Sequence, residues 1–210
     1  MRQHGYIKAL ASALLLAALT VFLPGSALAQ LGEKDKEEIR LLVDTLFAVV
    51  IPAADRDFET LRTLRMQLPW LRVPTWHTKV RLPDGWEGRI SDRDASTDFE
   101  MDCSIYPKNG SWAGVGHGGE WFDPMYAALR YILSGMLKDG WKRRSSKDNK
   151  YGEADYGTGE ETRWTRKDGL TVLLERVEDW HNEVFHSRMK QRDIRYISCV
   201  RLTIHVIKPK

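Results

Sequence analysis

The sequence predicts an α+β fold, helices packed on an antiparallel sheet, and three observations carry that expectation. Near the C-terminus Val200, Leu202, Ile204 and Val206 alternate with Arg201, Thr203 and His205, the period-2 signature of a strand with one buried face. Phe99, Met101, Cys103 and Ile105 alternate in the same way with Asp98, Glu100, Asp102 and Ser104. Two other stretches carry helical stripes: Ile39, Leu42, Val43, Leu46, Phe47 and Val50, then Met125, Ala128, Leu129, Ile132, Met136 and Leu137.

The first 29 residues read as a signal peptide. Arg2 and Lys8 give a positive start, Ala9 to Leu23 is apolar, and Pro24-Gly25 breaks the run. Ala27-Leu28-Ala29 has the small-x-small form of a cleavage site. The apolar run falls short of the roughly 20 residues that span a bilayer. A periplasmic or secreted location is therefore expected, with cleavage near Ala29 and a single domain over 30–210. Losing Arg2 and Lys8 lowers the formal net charge from +3 to +1. A near-neutral chain has no global bias toward nucleic acid, and nothing after residue 29 resembles a membrane span.

In chain order, Glu33 to Val50 predicts a helix with Glu33, Asp35, Glu37 and Glu38 at its positive end and Pro52 as its stop. Phe58, Leu61, Leu64 and Leu68 predict a shorter helix over 57–67, with Arg56, Arg62 and Arg65 on its wet side. His77 to Leu82 and Trp86 to Ile90 read as a hairpin around Pro83-Asp84-Gly85, followed by a polar loop over 91–96. Trp112 to Trp121 is a glycine-rich loop. Asp123 as N-cap and Pro124 at the first helical position open the second helix, and Gly140 supplies a left-handed stop. A strand at Trp141 to Arg144 and a loop over 145–160 follow. The strongest hairpin signal joins Thr162–Arg166 to Leu170–Val177 through Lys167-Asp168-Gly169. Glu178 to Asp193 is charged and reads as a helical turn or exposed loop.

Thr78 precedes Asp84-Gly85 by the same spacing that separates Thr162 from Asp168-Gly169. Each hairpin is followed by a strand holding a cysteine. The echo suggests two weakly similar helix–hairpin–strand halves with a boundary near 108–122.

An even cysteine count in an exported chain suggests a disulfide between Cys103 and Cys199. Closing a loop of about a hundred residues would contribute roughly 4–5 kcal/mol on the chain-entropy argument. The two positions conflict in phase, however. Cys103 has the parity of the apolar face and Cys199 that of the polar face. A bulge near Ile197-Ser198, or separate sheets, would be needed to reconcile them.

No motif names a reaction. Gly114 to Gly119 matches G-x-G-x-x-G, but the helix opens four residues late and Glu120 and Asp123 would repel a phosphate. Trp112, His117 and Trp121 around these glycines point instead to a contact surface. His181 and His186 sit among Asp179 and Glu183 without the HExxH pattern, so no metal and no cofactor is assigned. His205 could join them only if the fold brought it there. Asp98, Glu100 and Asp102 lie about 7 Å apart on one strand face, a spacing open to paired acid–base chemistry but ordinary for a solvated face. There is no G-x-S-x-G. The expected function is a non-enzymatic exported protein that binds a protein partner or envelope ligand. An envelope hydrolase using carboxylates and histidines, and a structural envelope component, are the alternatives.

Overall fold

A computed structural model describes residues 31–67, 73–105, 122–148, 157–186 and 191–210. Among them eight strands form one open antiparallel sheet beside two principal helices, an α+β architecture. Helix α1 spans Glu33–Thr45, where the Gly32 N–H donates to the Asp35 carboxylate at 2.9 Å. Strands β1 (Arg62–Arg65), β2 (Thr75–Thr78), β3 (Trp86–Asp92) and β4 (Ser96–Ile105) follow. Helix α2 spans Asp123–Met136 and precedes β5 (Trp141–Asp148), β6 (Gly157–Arg166), β7 (Thr171–His186) and β8 (Gln191–Pro209). The strand order is β1-β2-β3-β4-β8-β7-β6-β5. Each run of four strands is a meander preceded by a helix, and the two meanders join where β4 pairs with β8.

The apolar stripes of both helices, apart from the exposed Met136, and one face of the sheet belong to a single buried cluster. Ile39, Leu42, Leu46, Leu129 and Leu133 join Phe99, Met101, Leu174, Leu202, Ile204 and Val206 in it. Register explains the strand members. Phe99 faces Val206 and Met101 faces Ile204, and both rows continue into β7 at Val172 and Leu174. Of the tryptophans, Trp164 and Trp86 are buried in this core. No described helix is long and apolar enough to cross a membrane.

Several elements differ from the sequence expectation. Pro52 does not stop the first helix. A π-helical turn over Leu46–Val50 precedes it, and the Ile51 N–H donates to Leu46 O, five residues back. That wider ladder tolerates a residue that lacks an N–H, and the helix runs on through Ile51–Ala53. The shorter helix expected over 57–67 is absent. Asp57 and Phe58 take left-handed backbone conformations (φ 49° and 58°), which break the helix and turn Arg62–Arg65 into an edge strand. Phe58 holds that strained position while fully buried, 5.8 Å from Phe99. Strand pairing also won over polarity in the loop expectations: β3 extends to Asp92, β5 and β6 reach into 145–160, and 178–193 lies mostly in strands.

A carboxylate–histidine cluster at the centre of the sheet

The second face of the central strands is also buried, although its side chains are charged. Asp98 is 5 % exposed and Asp102 8 %. They do not form the solvated face that the alternation suggests. Glu100 of β4 lies opposite His205 of β8 and Arg89 of β3, and Glu175 of β7 lies opposite Thr203. Because directly paired residues share a face, these four strands bring Arg89, Asp98, Glu100, Asp102, Glu175 and His205 together.

Two cations organise the cluster. His205 Nδ1 lies 3.1 and 3.2 Å from the two oxygens of Asp98, and its Nε2 lies 3.4 Å from Glu175. Carboxylates on both ring nitrogens require both to donate, so the ring is an imidazolium. Burial alone would push its pKa down. The hydrogen bonds to Asp98 and Glu175, with the charges of Asp98 and Glu100, outweigh that and raise it to about 10. Arg89 Nη2 donates to Glu100 at 2.8 Å and to Asp102 at 2.9 Å. Burial raises the Asp102 pKa, and the Arg89 charge opposes that rise. Four carboxylates thus face two cations, leaving this group of six two charges negative. Arg201 lies farther along the same strand face, opposite Ser104 and Val177.

Each of these groups is held by a cross-strand partner, so the cluster presents no side chain poised as a nucleophile. Its chemical capacity is to hold positive charge. The spacing in sequence gave no warning of it. Asp98 and His205 lie 107 residues apart, and only the adjacency of β4 and β8 joins them. The one legible signal was polar parity: Asp98, Glu100 and Asp102 on one strand, Arg201, Thr203 and His205 on another.

The expected disulfide is not formed: Cys103 is a free thiol, and no bond joins it to Cys199. A bulge does lie at Ser198, where Asp179 pairs with Cys199 and Trp180 with Ile197. It precedes Cys199, however, and leaves the phase between Cys199 and Leu202 unchanged. Cys103 faces Leu202 and shares its side of the sheet, whereas Cys199, an odd step away, lies on the other. Burial, with nearby Glu38 and Asp102, pushes the Cys103 thiol up to about 11, so it is unreactive at neutral pH.

Trp112, His117 and Trp121 lie outside the described residues. His181 and His186 fall on β7, beyond the last residues that pair with β6. From there residues 180–186 pair with 191–197 and, among the described residues, with no other strand. Among the described residues these form a two-stranded arm that continues beyond the last residues paired to β4 and β6.

No protein-family model, curated protein or solved structure matches this chain.

Proposed function

We propose that this is an exported, non-enzymatic protein that binds a protein partner or envelope ligand, with the β7–β8 arm as its principal contact element. The arm is the observation that carries the reading. A two-stranded ribbon is marginally stable alone in water, and edges that pair with no other described strand would offer backbone groups to an added one. The sequence of the arm includes Trp180, Phe185, Ile194, Tyr196 and Ile197. Export rests on the leader over 1–29, and the periplasm or the exterior is the proposed location. The aromatic loop at Trp112, His117 and Trp121 belongs to the same proposal as a second contact surface.

The hydrolase alternative draws less support. His181 and His186 are five positions apart in one strand, roughly 16 Å at ordinary strand rise, too far to act on one bond or one ion. Two similar halves remain part of the proposal. The mirrored meanders support them, since β2 and β3 flank Gly85 as β6 and β7 flank Gly169, and the cysteines fall in β4 and β8.

The test is a shortened arm, with residues 183–194 replaced by Asn-Gly. The mature protein, carrying a photo-crosslinking residue at Val184, is expected to give one discrete crosslinked species in envelope extract. The shortened protein should fail to compete for that species while still unfolding cooperatively. A shortened protein that competes as well as the intact one would overturn the assignment of the arm, and the Trp112→Ala/Trp121→Ala variant would then test the loop.

A further inference from the structure

We propose that Asp98, Glu100 and His205 form a site for one divalent first-row transition cation, with zinc as the representative ion. Each residue offers one donor atom, and the three atoms lie within 4.8 Å of one another. Two carboxylate oxygens and one imidazole nitrogen are a borderline set. It suits zinc or manganese better than magnesium, which takes oxygen alone, or copper(I), which takes sulfur. Bonds of about 2.0–2.2 Å would bring the donors closer together than they now stand. Glu100, the most exposed of the three, can supply that movement by turning from Arg89, which keeps Asp102 at 2.9 Å.

Two further features point the same way. His205 presents Nδ1 to Asp98 and Nε2 to Glu175. An ion on the Nδ1 side would take the place of that proton, released to solvent. Glu175 would then be the outer carboxylate that accepts the remaining N–H and fixes the ring, the usual partner of a metal-bound histidine. The two-charge negative excess of the surrounding six groups favours a divalent cation at this point.

This site does not depend on the arm, and its test reads neither partner nor activity. The mature protein is stripped with chelator and dialysed against zinc chloride, with bound metal measured by mass spectrometry. One equivalent is expected, undisturbed by a large excess of magnesium. Glu100→Gln and His205→Gln should each weaken binding by about tenfold to a hundredfold. Glu33→Gln, an exposed acid on α1, should leave it unchanged. Glu100 is partly exposed and its amide keeps the shape, so that variant stays folded, which circular dichroism verifies. Failure to retain zinc, or retention undiminished in both variants, would overturn the proposal; the second result would place the zinc elsewhere on the chain.

Discussion

The two faces of the sheet at β4 and β8 are both buried, yet they are held together by different physics. On one, Phe99, Met101, Leu202, Ile204 and Val206 are fully buried within the single apolar cluster. On the other, Asp98, Asp102 and Thr203 are nearly as buried, and His205 and Arg89 tie the acids across the strands. The apolar face needs volume and tolerates small changes of angle. The charged face needs each partner in place, because a buried charge without one is far costlier than a misplaced methyl group. Cohesion on the first face is therefore diffuse, and on the second it is concentrated in a few directed contacts.

Substitutions break this contrast in graded steps. Phe99→Ala should cost about 3–5 kcal/mol in urea unfolding, by lost burial and the cavity left beside Phe58. Asp98→Asn changes almost no volume but removes the charge facing His205, and should cost roughly 1–3 kcal/mol. A conservative change on the charged face that cost nothing measurable would erase the distinction. Gly169→Ala, away from both faces, should cost about 1–2 kcal/mol, because its φ is +88° and an added Cβ would lie 2.8 Å from Pro209. Reductant should leave the unfolding midpoint where it was, and two thiols should titrate in the denatured, non-reduced protein.

pH sharpens the same comparison. In the metal-free protein His205 holds its proton up to about 10, against an ordinary 6.5. A histidine whose folded pKa is raised contributes stability that is fully present below 6.5 and lost as pH rises through about 10. The urea midpoint should fall across that window, and His205→Gln should flatten the fall. Phe99→Ala should lower the curve without changing its shape.

The fold was legible where period alone decides. The alternation of 98–105 and 200–206, the stripe of α2 apart from the exposed Met136, and the Asp168-Gly169 turn stand as the residues suggested. Two kinds of feature were not legible. Local backbone exceptions, the π turn before Pro52 and the left-handed pair Asp57-Phe58, depend on tertiary burial that overrides propensity. Adjacency was the other: parity says which side chains share a face of one strand, but not which strand lies beside it. Polar parity at Asp98 and at His205 was visible separately, and only the pairing of β4 with β8 made it a cluster. The cysteines show the converse. The expected compartment and the even count suggested a bond that the parity of Cys199 already opposed.

The most direct test of the charged face is the protonation of His205, followed by nitrogen-15 NMR of the imidazole in the metal-free protein. The account predicts both ring nitrogens protonated at pH 8, with the transition near 10 and Asp98→Asn shifting it down. A ring that titrates near 6.5 and ignores Asp98→Asn would contradict it.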